Sequence, residues 1–235
     1  MLDPSVTTVI DPDLCTGCGR CVAACPADTL ALQGNKAVIS GARSLGCGHC
    51  AAVCPMEAIA VGAIDAEMAH FAGFDADPRQ LPEGAFDTAQ LVRLMASRRS
   101  CRRFDTRPVA RELLEDLVKI GITAPSGTNS QGWTFTLLPT RAAVMALGDG
   151  VTGFFRRVNR RAENVLLRKG LRLLGKGELD AYYRGYYETV REALEGWEKS
   201  GRDRLFHGAT AAIVIGSQRG ASTPAEDALL AAQNI

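Results

Sequence analysis

Residues 15–26 read CTGCGRCVAACP, and this stretch decides the fold of the N-terminal part of the chain. Its cysteines stand at positions 15, 18, 21 and 25, and a proline follows the last of them. Seven of the eight cysteines in the chain lie between positions 15 and 54, and Cys101 is the remaining one. Thiols crowded at such short intervals indicate ligands of a metal or a cluster before they indicate disulfides.

A second and less complete run follows the first. Cys47, Cys50 and Cys54 precede Pro55, but the position three residues before Cys47, where a first cysteine is expected, holds Ser44. The two runs form an internal repeat in which each half is predicted to contain a strand, a cysteine loop, a short helix and a strand.

The spacing is typical of bacterial two-cluster iron–sulfur modules, in which the last cysteine of each run binds the cluster of the other run. It predicts one cluster bound by Cys15, Cys18, Cys21 and Cys54, and another bound by Cys47, Cys50 and Cys25. A serine oxygen is a hard and poor ligand for iron, so the second cluster is predicted to be serine-ligated, three-iron, labile or absent. Zinc, which also uses C-x-x-C pairs, is the alternative, but the repeated run exceeds what a tetrahedral zinc site requires.

Composition excludes some classes of function. The chain has 235 residues and a formal net charge of +1, which favours neither a nucleic acid nor an anionic membrane as partner. It contains no run of about 18 apolar residues, and its N-terminus lacks the basic and then apolar layout of a signal peptide. We therefore expect a cytoplasmic protein.

The chain is predicted to comprise a cysteine module at residues 1–64, a linker or strap at 65–86, and a second domain at 87–235 with a helical insertion at about 152–204. Apolar patterning gives the elements. The predicted strands are Thr7–Ile10, Thr29–Gln33 and Lys36–Ser40 as a hairpin around Gly34-Asn35, Ala58–Val61, Trp133–Leu138 and a buried Ala211–Gly216. The predicted helices are Asp87–Arg98, Ala110–Ile122, a short Ala142–Leu147, two helices broken near residues 175–177, and one starting at Pro224 with Thr223 as N-cap and Glu226 as capping-box partner.

Two segments of the second domain carry chemistry. The arginine segment, residues 97–104, contains four arginines and two serines, groups that suit a phosphate monoester, although a solvated basic turn has the same composition. The polar loop, residues 124–133, reads APSGTNSQGW and leads into an apolar strand, so its amides and hydroxyls could face the polar edge of a planar ring.

Together these segments resemble the nitroreductase family of FMN-dependent oxidoreductases, with Gly132 in place of the usual proline. The resemblance implies that the FMN phosphate and ribityl chain are held by Arg98, Arg99, Ser100 and Arg102. It implies that the isoalloxazine lies near Ser126, Gly127, Asn129 and Gln131. The expected fold class is α+β, a ferredoxin-like 4Fe-4S module followed by a nitroreductase-like α+β domain.

The resemblance also implies a function. We expect an iron–sulfur and FMN-dependent oxidoreductase that takes electrons from a ferredoxin-type protein or NAD(P)H and passes them to a nitroaromatic, a quinone or an activated alkene. No side chain stands out as a catalytic acid or base, because the cofactors perform the redox chemistry. The alternative is a non-catalytic ferredoxin-type electron carrier whose second domain serves for docking.

The end of the chain carries a further expectation. The last predicted helix reaches Ile235 without a glycine or a basic final turn. In the family this helix continues into a dimer core and is followed by further strands and a basic contact to the flavin phosphate. The resemblance therefore implies a domain shortened at its C-terminus, and a homodimer when the protein is complete.

Overall fold

The computed structural model describes residues 4–77, 81–82 and 84–235. Part of the expected linker at 65–86, namely residues 78–80 and 83, lies outside these ranges. The chain divides into two compact units. Unit 1 comprises Met1–Ser97, Glu112–Thr136 and Val214–Ile235, and unit 2 comprises Arg98–Arg111 and Leu137–Ile213. Among the described residues, no helix is both long enough and apolar enough to cross a membrane.

The N-terminal module of unit 1 consists of short elements, which are β1 (Thr8–Ile10), α1 (Arg20–Ala24), β2 (Leu30–Gln33), β3 (Lys36–Ile39), α2 (His49–Ala52) and β4 (Ile59–Val61). The predicted hairpin is confirmed, because β2 and β3 pair antiparallel with Gln33 opposite Lys36. Gly34 and Asn35 both have positive φ, as a two-residue hairpin turn requires. Strands β1 and β4, from opposite ends of the module, also pair antiparallel.

The internal repeat of the sequence is also a repeat of backbone conformation. Helix α1 follows Gly19 and helix α2 follows Gly48, and these N-cap glycines have nearly the same left-handed φ, 75° and 76°. Asp28 and Glu57, which each follow the last cysteine of a run by the same interval, have φ of 50° and 51°. The module core is small and includes cysteine among its buried residues, which are Cys21, Leu30, Ala37, Ile59 and Val61.

A strap of residues 65–77 links the module to the helices that follow it within unit 1. A short 3₁₀ helix at Ala66–Ala69 leads to His70, whose Nδ1 lies 2.7 Å from the Asp75 carboxylate. The hydrogen bond that the His70 ring donates to the Asp75 carboxylate raises the pKa of His70. The Ala72 N–H donates to the Asp116 carboxylate at 2.9 Å, and the Lys119 ammonium donates to the His70 carbonyl. These contacts fix the strap to the helix that bears Asp116 and Lys119.

The remaining elements are α3 (Thr88–Ser97), α4 (Arg111–Gly121), β5 (Trp133–Leu138), α5 (Arg141–Glu163), α6 (Val165–Leu173), α7 (Glu178–Gly185), α8 (Tyr187–Ser200), β6 (Ala212–Ser217) and α9 (Pro224–Asn234). The predictions of α3, α4 and β5 are confirmed, and β5 has the predicted bounds. β5 pairs with β6. The prediction that β6 is buried is wrong, because its residues are half-buried or exposed.

The short helix predicted at Ala142–Leu147 is wrong, since α5 continues to Glu163. Thr140 starts it by accepting a hydrogen bond from the Ala143 N–H at 3.2 Å. Gly148 does not break the helix; it allows close packing, because a Cβ there would lie 2.3 Å from the Trp197 ring. The glycine therefore marks a contact between α5 and α8.

The prediction of two helices between about 152 and 204 is also wrong, because this region contains the end of α5 and all of α6, α7 and α8. The predicted break near Gly175 is confirmed, and its φ is 76°. A further break falls at Asn164, which has extended backbone and caps α6 by accepting from the Leu167 N–H at 3.0 Å. Another falls at Tyr186, between α7 and α8.

The predicted start of α9 is confirmed, but its predicted capping is wrong. Thr223 occupies the N-cap position and makes no side-chain cap to a helix amide. Its hydroxyl donates instead to Asp227 Oδ1 at 2.8 Å. Asp227, and not the exposed Glu226, is therefore the partner of Thr223.

Candidate iron–sulfur and flavin sites

The first cysteine loop, residues 15–21, lines a cavity together with the last cysteine of the second run. Cys15, Cys18, Cys21 and Cys54 all border this cavity. β1 pairs with β4, and this pairing brings the end of the second run beside the first loop. The structure thus brings together the four cysteines that the crossed pattern assigns to one cluster.

The second cysteine loop, residues 44–50, lines a matching cavity. Cys25, from the end of the first run, borders it with Cys47 and Cys50. Ser44 and His49 also lie on its wall. Each of the two cavities combines cysteines from both runs.

Backbone amides point at the cysteine sulfurs, as a site for thiolate ligands requires. The N–H of Thr29 donates to Cys25 at 3.3 Å, and the N–H of Ala58 donates to Cys54 at 3.3 Å. These two bonds occupy the same place in each half of the repeat. The N–H of Ala37 donates to Cys15 at 3.4 Å.

These environments change the pKa values of the thiols in two directions. The N–H of Ala37 lowers the pKa of Cys15. At Cys25, burial raises the pKa of the thiol, but the N–H groups of Ala27 and Thr29 outweigh burial, and the pKa is lowered. Burial raises the pKa of Cys21 and of Cys50, because a thiolate loses its hydration there. A positively charged iron centre would stabilise those buried thiolates.

The donor set fits clusters. All seven predicted cysteine ligands border one of the two cavities, and cysteine thiolate is the usual ligand of iron–sulfur clusters. Within the described residues, no three His, Cys, Asp or Glu side chains form a group that could hold a single metal ion. Cys101 is exposed and lies outside this set.

Residues 98–104 of the arginine segment lie in unit 2 and have no regular secondary structure. The four predicted phosphate ligands, Arg98, Arg99, Ser100 and Arg102, are exposed. A guanidinium N–H of Arg99 donates to the Arg98 carbonyl at 2.7 Å. Exposed guanidinium groups can reach an anion without a large desolvation cost.

The polar loop lies in unit 1 and adopts an unusual backbone. Thr128, Asn129 and Gln131 have φ of 50°, 51° and 48°. A non-glycine residue in this left-handed region costs about 1–2 kcal/mol, and such residues often cluster at ligand sites, where surrounding contacts hold them. The Gln131 N–H donates to Ser126 Oγ at 3.0 Å, which closes the loop on itself.

Asp227 on α9 organises this loop, and the sequence analysis missed it. Its side chain is almost fully buried, with the residue 1% exposed. Its carboxylate accepts from the Gly127 N–H at 2.9 Å and from the Ser130 hydroxyl at 3.3 Å. Its carbonyl accepts from the Trp133 indole at 3.1 Å. From the sequence alone, an acidic residue in the first turn of a helix is explained by its favourable interaction with the helix dipole. Nothing local in the sequence identifies Gly127, Ser130 and Trp133 as its partners, because they are distant in the chain.

The polar loop also contacts the second cysteine loop, and both lie in unit 1. The Asn129 side-chain amide donates to the Leu45 carbonyl at 2.9 Å. A Cβ at the neighbouring Gly46 would lie 3.6 Å from Asn129 Nδ2. One residue assigned to the flavin ring therefore touches the loop assigned to the second cluster.

The tyrosines of the helical insertion have partners inside unit 2. The Tyr182 hydroxyl donates to Asn159 at 2.6 Å. The ring of Tyr183 lies under the Arg168 guanidinium, 3.6 Å from it. Arg168 in turn pairs with the Asp180 carboxylate at 3.2 Å, and both side chains are 12% exposed. These charges and rings serve packing within the unit.

Two known families match two different parts of the chain. The family described as the nitroreductase family matches residues 95–235. The family described as the 4Fe-4S dicluster domain matches residues 7–55. The two matches confirm the predicted combination of a ferredoxin-type module with a nitroreductase-like α+β domain. They also confirm the expected cofactors, an iron–sulfur cluster and FMN.

Among curated proteins, short stretches of the chain are similar to iodotyrosine deiodinases. The enzyme from Daphnia pulex is 41% identical over 49 residues, which are 21% of this chain and 16% of that protein. The enzyme from Haliscomenobacter hydrossis is 32% identical over 68 residues, 29% of each chain. The chain thus spans less than a third of either relative.

Among solved structures, the chain is similar to an FMN-dependent nitroreductase from Clostridium difficile R20291. The sequences are 20% identical, and the TM-score is 0.36. The match covers 63% of this chain and 54% of that one.

Proposed function

The chain belongs to the nitroreductase family, a family of oxidoreductases, and on that premise we propose that it transfers electrons from its iron–sulfur module to FMN. When bound, the clusters supply single electrons and the flavin collects two for the acceptor. The residues of the chain hold these groups, place them next to one another and shield the sulfurs.

One observation carries this proposal, the hydrogen bond from Asn129 to the Leu45 carbonyl at 2.9 Å. Leu45 stands two residues before Cys47 in the second cysteine loop. Asn129 stands in the polar loop that the family resemblance assigns to the flavin ring. A contact between these two loops is what a short electron-transfer distance requires, and a module used only for docking has no need of it.

In this proposal the ring-facing residues divide into two groups. Gly127 and Asn129 position the loop, because the Gly127 N–H already donates to Asp227 and the Asn129 amide to Leu45. Ser126 accepts from the Gln131 N–H and keeps its own hydroxyl proton to donate, and Gln131 is exposed. Ser126 and Gln131 are therefore the residues that we assign to hydrogen bonds with the isoalloxazine.

We assign the FMN phosphate to the arginine segment. Arg98, Arg99 and Arg102 offer guanidinium forks that suit phosphate oxygens, and Ser100 offers a hydroxyl. All four groups are exposed. Replacing Arg102 with Lys keeps the charge and removes the fork, so weaker FMN binding by this variant would distinguish planar recognition from simple charge attraction.

The proposed donor is a ferredoxin-type protein or NAD(P)H. The proposed acceptor is a nitroaromatic, a quinone or an activated alkene. The relatives named iodotyrosine deiodinases add a halogenated phenol to the acceptors worth testing. Steady-state assays with one compound of each class, under anaerobic conditions, would rank them.

The test is anaerobic stopped-flow reduction of the FMN-loaded protein by a reduced ferredoxin. Replacing Cys15 and Cys18 with serine should slow flavin reduction and leave bound flavin unchanged. Asn129→Asp, which removes the donated N–H, should slow it as well. Asn234→Asp is the matched control, because this exposed amide donates at 3.0 Å to Thr123, a residue outside the cysteine and polar loops. Unchanged flavin reduction in the cysteine variant would refute the relay.

The rival reading is a non-catalytic electron carrier with a docking domain. It predicts that gently purified protein contains iron and lacks flavin.

The expected homodimer stays a prediction, and light scattering of the purified protein measures it. One surface is relevant, since the apolar stripe of α3 is exposed, with Leu91, Leu94 and Met95 at 42%, 65% and 54%.

A further inference from the structure

The two cysteine loops share one backbone conformation, and Ser44 stands where the second loop lacks a cysteine. Gly17 and Gly46 both have left-handed φ, 72° and 59°. Ser44 precedes Cys47 by the same interval that separates Cys15 from Cys18. By position in the repeat, Ser44 is therefore the counterpart of Cys15.

The side chain of Ser44 also accepts a backbone hydrogen bond, as the side chain of Cys15 does. The Gly46 N–H donates to Ser44 Oγ at 3.0 Å. In the first loop, Cys15 Sγ also accepts a backbone N–H, that of Ala37 at 3.4 Å. Ser44 is half-buried, and its N–H donates to the Pro4 carbonyl at 2.9 Å, which fixes its backbone. The serine oxygen thus accepts a backbone N–H at the position of the repeat where the first loop has a ligand sulfur.

Ser44 borders the same cavity as the three cysteines of the second site. We propose that Ser44 Oγ is the fourth protein ligand of the second cluster, beside Cys25, Cys47 and Cys50. This assignment rests on the proposed function only in that the second cavity holds a cluster. On ligation an Fe–O bond forms, the O–H bond breaks and the proton passes to solvent, with no change of oxidation state.

His49 is the competing ligand on the same wall, and its geometry disfavours it. Its ring is exposed, and Nδ1 lies 3.1 Å from Cys47 Sγ, so the imidazole is engaged with a ligand sulfur. The corresponding residue of the first loop is Arg20, which cannot bind a metal. The repeat therefore points to Ser44 and away from His49.

An oxygen ligand makes one corner of the second cluster chemically distinct from the others. Oxygen is a harder donor than thiolate, so iron at that corner is held less tightly. Leu45, which accepts the hydrogen bond from Asn129, is the next residue in the chain. The oxygen-ligated corner therefore adjoins the contact with the polar loop.

The experiment compares the anaerobically purified protein with Ser44→Cys, Ser44→Ala and His49→Ala variants. Ser40→Ala is the matched control, because Ser40 is an exposed serine of the same module and donates to the Thr29 carbonyl. Iron and sulfide per chain, electron paramagnetic resonance and Mössbauer spectra are measured, none of which depends on turnover.

We expect the unmodified protein to contain the iron of two clusters, with one iron of distinct Mössbauer parameters. Ser44→Cys should abolish that distinction. Ser44→Ala should lose iron from the second cluster about tenfold faster under mild oxidation and give a three-iron spectrum. Ser40→Ala should match the unmodified protein, and His49→Ala should keep both its iron content and the distinct iron.

Three results would overturn the assignment. They are iron for a single cluster in the unmodified protein, identical spectra in Ser44→Ala and Ser44→Cys, or loss of the distinct iron in His49→Ala. A single cluster would leave the proposed electron transfer standing on the first site. The Ser44 variants could give the expected spectra while replacement of Cys15 and Cys18 leaves flavin reduction unchanged. This outcome would refute the relay and leave the ligand assignment intact.

Discussion

The buried carboxylate of Asp227 accepts a hydrogen bond from the Gly127 N–H at 2.9 Å and thereby ties α9 to the polar loop. The same side chain accepts from Thr223 and Ser130. A carboxylate this deeply buried stabilises the fold only while its donors surround it, and those donors lose their partner when it is removed.

Replacing Asp227 with alanine should lower the free energy of unfolding by about 3 kcal/mol, because the half-buried Gly127 N–H and the buried Ser130 hydroxyl would lose their acceptor. Chemical denaturation followed by fluorescence measures the change. Glu226→Ala is the matched control, since Glu226 is the neighbouring acid and is exposed. Equal effects of the two variants would contradict the assigned role of Asp227.

Crossed pairing of the two cysteine runs makes a specific prediction about variants. Cys54→Ala and Cys18→Ala should leave the same residual spectrum, that of the second cluster, because both thiols border the first cavity. Pairing within each run would instead make Cys54→Ala resemble Cys47→Ala. Electron paramagnetic resonance of the reduced variants distinguishes these outcomes, and Cys101→Ala, which alters an exposed thiol elsewhere, should change neither signal.

Two glycines of α5 should respond to alanine in opposite directions. Gly148→Ala should destabilise the fold by about 1–3 kcal/mol, because its Cβ would lie 2.3 Å from the Trp197 ring. Gly150→Ala should stabilise it by about 0.5–1 kcal/mol, because nothing lies within 4 Å of a Cβ there and alanine favours the helix. Thermal unfolding followed by circular dichroism measures both, and equal shifts would mean that α5 and α8 do not pack at Gly148.

Local sequence signals predicted the parts of the fold that local physics determines. The hairpin at Gly34-Asn35 follows from the left-handed turn that these residues favour, and strand β5 follows from its apolar run after the polar loop. The cysteine spacing predicted which thiols the structure brings together, because the repeat fixes both loops in the same conformation.

Long-range contacts account for what the sequence analysis missed. The helix predicted at Ala142–Leu147 is too short, and the packing of Gly148 against Trp197 is not visible locally because the two residues are distant in the chain. Asp227 was missed for the same reason, since its role depends on Gly127 on another element. A local pattern predicted Thr223 as the N-cap of α9, and Thr223 does occupy that position. Its hydroxyl, however, donates to the buried Asp227 carboxylate.

The link between Asn129 and Leu45 joins an amide to a carbonyl and carries no net charge. Its strength should therefore be insensitive to ionic strength, unlike the encounter with a charged donor protein. Both partners belong to one polypeptide, so the contact forms without a second-order step. Dilution and salt should slow the arrival of electrons at this protein while leaving their onward passage within it at the same first-order rate.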